Sequence, residues 1–142
     1  MIAFAKKIFQ KKNKEEISSF ESIRINISGM RGIREYEILC RGEKSDIFLF
    51  TLLYVNSNKE RRLEKSSECK TDEMIKIMNL CGFAAWNRFF GKHPKNVSDG
   101  EMFRLDAVVN EAKKIHAEGS ANFPKGYKEF IKNLNEILKN GN

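Results

Sequence analysis

The chain reads as an α+β domain: an antiparallel sheet of about five strands and two main helices in the order βββαββα, preceded by a short N-terminal helix. Three observations predict it. Apolar residues alternate at Ile23, Ile25 and Ile27 and again from Phe103 to Val109, the period of half-buried strands. They recur at steps of three and four from Met74 to Phe89 and from Tyr127 to Leu138, the period of helices facing a core. Neighbouring strands are joined by hairpin-length connections, which favour antiparallel pairing with the helices gathered on one face.

The length of 142 residues suits one domain. Hydrophobic residues at 41% and aromatics at 11% are enough for a core and exclude a disordered chain, although 32% of residues are charged. Residues 1–14 stand apart from the single domain 15–142. They space Ile2, Ala5, Ile8 and Phe9 as a weak amphipathic helix among lysines. Such a segment suits an anionic membrane surface met by Lys6, Lys7, Lys11 and Lys12, and equally a frayed basic terminus or a helix docked on its own domain or a partner.

The elements of the domain follow in order. Ile23, Ile25 and Ile27 alternate with Arg24 and Asn26 in a first strand, and residues 28–32 supply a turn. Residues 33–41 form a second strand with Tyr36, Ile38 and Cys40 on one side. Residues 47–55 are apolar almost throughout, which predicts a central strand covered on both faces. Residues 56–70, charged and with Leu63 as their one large apolar residue, read as a surface connection. Thr71 is the expected N-cap of the first helix, Asp72 and Glu73 favour its positive end, and Gly91 is its expected stop. After the Asp99-Gly100 turn come a strand from Phe103 to Val109, a hairpin at Asn110-Glu111 and a strand through Ile115 and Ala117. The last helix carries Tyr127, Phe130, Ile131, Leu134, Ile137 and Leu138, with Pro124 expected in its first turn and Gly141 at its end.

Charge and chemistry narrow the function classes. The net charge is +7, but Lys6, Lys7, Lys11, Lys12 and Lys14 take +5 of it and leave +2 on residues 15–142. A nucleic-acid module would hold its cations in a stripe on the domain, so nucleic acid is not the expected partner. Cys40, Cys69 and Cys81 have no paired spacing and suit reduced core thiols in a cytoplasmic protein. No apolar run reaches the span of a bilayer, and the N-terminus lacks a signal-peptide pattern. No metal-ligand spacing or phosphate-binding loop occurs, so no metal and no cofactor are expected. Of the two histidines, His93 lies in a turn before Pro94 and His116 on the polar side of a strand, placements that suit surface residues.

Two stretches suit binding. The corner from Gly119 to Tyr127 joins a strand to a helix, where Ser120, Asn122 and Lys125 are placed to hold an anion. Its structural account is a turn at Gly119, capping by Ser120 or Asn122, Phe123 stapled on Tyr127, and Pro124 presetting the helix. Trp86 and Phe90 are the other candidates, with Trp86 better suited to the core and Phe90 the aromatic left over.

The pattern W-N-x-F, DG-x-x-F-x-L and GS-x-N-F-P-x-x-Y across Trp86 to Tyr127 resembles a group of small bacterial domains. The resemblance covers about a third of the chain. It implies that Trp86, Asp99, Gly100, Gly119, Ser120 and Pro124 matter to the fold, and it implies no catalytic role. The element order also resembles that of type III secretion chaperones, which are acidic dimers where this chain is basic.

The sequence thus points to a non-enzymatic adaptor, immunity-like or chaperone-like domain that binds another protein or itself. Its expected location is the cytoplasm or the inner face of the membrane. Two alternatives stand beside this reading: a peripheral membrane domain held by the Lys-rich segment, and a small enzyme using Asp99, Ser120 and His116 or His93.

Overall fold

The computed structural model describes residues 16–30, 32–98 and 100–141. The sequence reading of residues 1–14 and the turn at Asp99 lie outside the described residues. One sheet holds seven strands: β1 (Phe20–Gly29), β2 (Gly32–Arg41), β3 (Lys44–Val55), β4 (Asn58–Lys70), β5 (Phe89–Gly91), β6 (Met102–Val109) and β7 (Lys113–Ser120). Their order across the sheet is β4-β3-β2-β1-β6-β7-β5. Among the described residues, two helices, α1 (Thr71–Cys81) and α2 (Tyr127–Lys139), and a 3₁₀ turn over Phe83–Trp86 accompany the sheet.

Register explains why one face is apolar. Ile23 pairs with Ile38 and Ile25 with Tyr36. Across the other side of β1, Ile23 meets Ala107 and Ile25 meets Leu105, and Leu105 in turn meets Ala117. Because side chains alternate along every strand, these residues stack in rows on one face. There they are buried beneath Met74 and Met78 of α1 and Phe130, Leu134 and Leu138 of α2. Tyr36 donates its hydroxyl to Asn135 Oδ1 of α2 at 2.6 Å, tying sheet to helix.

An aromatic cluster closes this core at the β7 end. Phe83 lies 4.8 Å from Trp86 and 5.3 Å from Phe130 between ring centres, and Tyr127 lies 4.6 Å from Phe103. Phe123 stacks on Tyr127 at 5.0 Å, the staple expected from the sequence.

The sheet departs from expectation in two places. Residues 58–70 are no surface connection: they form β4, a full edge strand antiparallel to β3. Asn56 and Ser57 both adopt positive φ, the geometry of a tight two-residue hairpin. Charged side chains along β4 blunt an exposed edge, which is why its composition resembled a loop. The second addition is β5. It pairs with β7 in parallel, so the sheet is mixed, with seven strands in place of five. Gly91 therefore ends a strand and not the first helix. Helix α1 ends at Cys81, where Gly82 enters the left-handed region at φ 75° and its N–H reaches back to the α1 carbonyls.

Smaller corrections have local causes. β3 is second from the edge, since β4 takes the outer place, and its Phe48 and Phe50 remain half-buried on an uncovered face. Thr71 does not cap α1: Lys70 occupies the cap position, while the Thr71 hydroxyl donates to Gly42 O at 2.7 Å and lies 2.7 Å from Ser45 Oγ. Pro124 precedes α2 instead of sitting in its first turn, with Gly126 at the cap position. Neither Ser120 nor Asn122 caps that helix.

Candidate functional site

The second face of the sheet is the candidate site. Among the described residues, both helices pack on the first face, and the rows opposite them remain open. The centre of the open face is a charge network. Glu35 is buried, accepts a hydrogen bond from Arg61 Nε at 2.6 Å and lies 3.5 Å from Arg24 Nε. Arg24 also binds Glu37 at 2.7 Å, and the Arg61 guanidinium lies 3.7 Å above the Phe50 ring. Burial alone would raise the Glu37 carboxyl, but hydrogen bonds from Arg24 and Arg61 outweigh it and hold the group below its ordinary value.

One row further on, His116 is clamped between Asp106, at 2.6 Å from Nδ1, and Glu118, at 2.9 Å from Nε2. A carboxylate accepts and does not donate, so the clamp suits an imidazolium with both nitrogens protonated. The Asp106 bond first, then the Glu118 bond, raise the His116 pKa above its ordinary value. Apolar side chains flank these charges: Leu39 and Leu63 toward the β4 side, Met102 and Phe90 toward β5. Phe90 is 64% exposed with its ring centre 6.1 Å from that of His116.

Grooves furrow this face, two of them along β1, β6 and β7. One of about 660 Å³ is lined by Asn26, Phe90, Lys92, Met102, Arg104 and Ser120 among others. The other, about 520 Å³, includes Arg24, Glu37, Leu39, Asp106 and His116.

The sequence-derived candidates separate. Phe90 and Ser120 line the larger groove. Trp86 is 1% exposed in the core, and its Nε1–H donates to Lys125 O at 2.9 Å. Lys125 contributes this carbonyl while its side chain is exposed. Asn122 Nδ2 donates to Lys92 O at 3.1 Å, and the Asn122 carbonyl packs so closely on Gly91 and Gly119 that a side chain on either would overlap it. Ser120 meets His93, whose Nδ1 is 2.8 Å from Oγ. It does not meet His116, which lies four residues back along the same strand, roughly 13 Å at strand rise.

The Arg24–Glu35–Arg61 network and the Asp106–His116–Glu118 clamp were missed in the sequence. Alternation placed Arg24, Glu35, Glu37 and His116 on the polar side of their strands, while Arg61 fell in the segment read as a surface connection; only the register across β4, β3, β2, β1, β6 and β7 brings these residues together.

The fold and this face define an α+β protein with a seven-stranded mixed sheet, helices on one side and a charged, grooved face on the other. No protein-family model matches the chain, and neither a curated protein nor a solved structure matches it significantly. Among the described residues there is no group of three or more His, Cys, Asp or Glu arranged to hold a metal ion, and no helix long and apolar enough to cross a membrane.

Proposed function

We propose that the protein is a binding module that docks another protein on the open face of its sheet, in the manner of an adaptor, immunity or chaperone-like factor. One observation carries the reading. Leu39, Leu63, Phe90 and Met102 are all more than a third exposed and flank a central band of fixed charges. Exposed apolar residues around ordered charges are what a partner surface reads: the apolar groups supply desolvation energy and the charges supply register and specificity. The Glu35 and Glu37 pairs are already formed, so little side-chain ordering remains to oppose docking.

Site-specific photo-crosslinking tests it. A benzophenone side chain is placed at Leu39, at Phe90 and, as control, at Lys132 on the solvent side of α2. The expected result is one discrete adduct from Leu39 and Phe90, none from Lys132, and loss of the adduct in Met102→Glu with unchanged thermal melting. An adduct of twice the chain mass identifies a second copy as the partner. The same adducts from Lys132, or none from either sheet position, overturn the proposal.

A further inference from the structure

The contact between Ser120 and His93 goes beyond docking. His93 Nε2 is hydrogen-bonded to the Val97 carbonyl oxygen. A carbonyl only accepts, so in the neutral ring Nε2 carries the proton and Nδ1 presents its lone pair. That lone pair faces Ser120 Oγ at 2.8 Å, so the hydroxyl donates to it. The order is therefore hydroxyl, imidazole, fixed acceptor: a nucleophile beside a base whose tautomer is set by a third group.

The backbone supports this order. Ser120 is the last residue of β7, and Ala121 turns the chain at φ 50°, with its N–H held by Glu101 O at 2.8 Å. His93 follows β5 by two residues, and the Asn122 side chain fastens this chain by donating to Lys92 O. Both partners thus rest on the paired strands β7 and β5. Ser120 also borders the larger groove, where Phe90 and Met102 offer apolar surface and Lys92 and Arg104 offer cations.

We infer that Ser120 is an activated nucleophile for acyl transfer, acting on a small carboxylic ester whose acyl group lies over Phe90 and Met102. Ser120 Oγ attacks the ester carbonyl carbon as its proton passes to His93 Nδ1. The tetrahedral intermediate collapses, the carbon–oxygen bond to the leaving group breaks, and the imidazolium returns its proton to the departing alkoxide. Water then attacks the Ser120 ester carbonyl as it gives a proton to Nδ1. The second tetrahedral intermediate breaks its bond to Ser120 Oγ while the imidazolium returns that proton to Oγ, which releases the acid and restores the free hydroxyl and the neutral base. Lys92 lines the same groove and follows Gly91, which pairs with Gly119, and it supplies positive charge for the developing oxyanion.

The full chain is treated with a fluorophosphonate probe, and the modified residue is mapped by peptide mass spectrometry. The expected result is one phosphonylated residue, Ser120, no label in Ser120→Ala, and labelling slowed about 100-fold or more in His93→Gln. Circular dichroism melts of both variants verify the fold. Mapping on the unaltered chain decides the matter even if a variant is unstable: an unlabelled Ser120 after prolonged exposure, or label on another residue alone, overturns the inference. Labelling of folded His93→Gln at the unaltered rate also overturns it, because the base would then have no role.

Discussion

Gly126 is the residue on which the corner into α2 depends, and its replacement by alanine has a calculable cost. Its φ is +89°, a region that L side chains enter at about 1–2 kcal/mol. A Cβ built there overlaps the Cys81 carbonyl oxygen and stands 2.9 Å from the carbonyl carbon and 3.2 Å from Cα. These are backbone atoms of the last residue of α1, so no rotamer change removes the clash. Parting two packed backbones adds an overpacking cost of about 1–3 kcal/mol. The sum, about 2–5 kcal/mol, corresponds to a fall in Tm of roughly 8–20 °C for a chain of this size. Gly42 supplies the control. It has φ +77°, yet no heavy atom lies within 4 Å of a Cβ built on it. Gly42→Ala therefore bears the backbone cost alone, about 1–2 kcal/mol. Urea and thermal melts followed by Trp86 fluorescence report both variants. Trp86 is the single tryptophan, and its indole bonds Lys125 O, one residue before Gly126. If Gly126→Ala loses no more stability than Gly42→Ala, the close approach of the corner to α1 is refuted.

Two further outcomes follow from single groups. Tyr127 Oη is buried without a hydrogen-bond partner among the described residues, so Tyr127→Phe is expected to stabilise the fold by about 1 kcal/mol, seen as a higher urea midpoint; a lower midpoint would mean that the hydroxyl is partnered. His116 has its pKa raised above 6.5 by Asp106 and then Glu118, so its contribution is complete below the unfolded-state value and lost as pH rises through the folded one. The thermal advantage of the wild type over His116→Gln should be largest at about pH 5.5 and shrink by about pH 8.5, and an advantage equal at both refutes the clamp.

The parts of the fold legible in the sequence are those whose burial is one-sided. Ile23, Ile25 and Ile27 face α1 and α2 while Arg24 and Asn26 face outward, so period and burial coincide. The α2 stripe, with Phe130, Leu134 and Leu138 buried, is equally plain. β4 failed this test because its strand character comes from pairing with β3 and not from an apolar face of its own; most of its side chains are exposed. Asn56-Ser57 was the available signal, since asparagine accepts positive φ at a hairpin turn. β5 failed for a different reason. Phe89 lies at helical spacing from Trp86, which concealed the break at Gly82 and the positive φ of Arg88. The register of β5 comes from distant partners: Arg88 N–H to His116 O at 2.8 Å, and Asn87 Oδ1 accepting from His116 N at 3.0 Å.

That same strand explains why the candidate site was only half visible. Ser120 stood out in its corner and His93 in its turn, but they are separated by 27 positions in the chain, and nothing local states that they meet. The sequence offered two histidines for Ser120, and strand geometry decides between them. Residues four apart on one strand share a face without touching, so His116 on β7 is out of reach and is held by Asp106 and Glu118 instead. His93 reaches Ser120 because β5 runs parallel to β7 and sets Gly91 opposite Gly119, so the two chains leave the sheet at the same end. Had β5 run antiparallel, residue 93 would have emerged at the opposite end of β7. The three-residue strand that composition concealed thus fixes both the exposed Phe90 beside the charged face and the histidine beside Ser120.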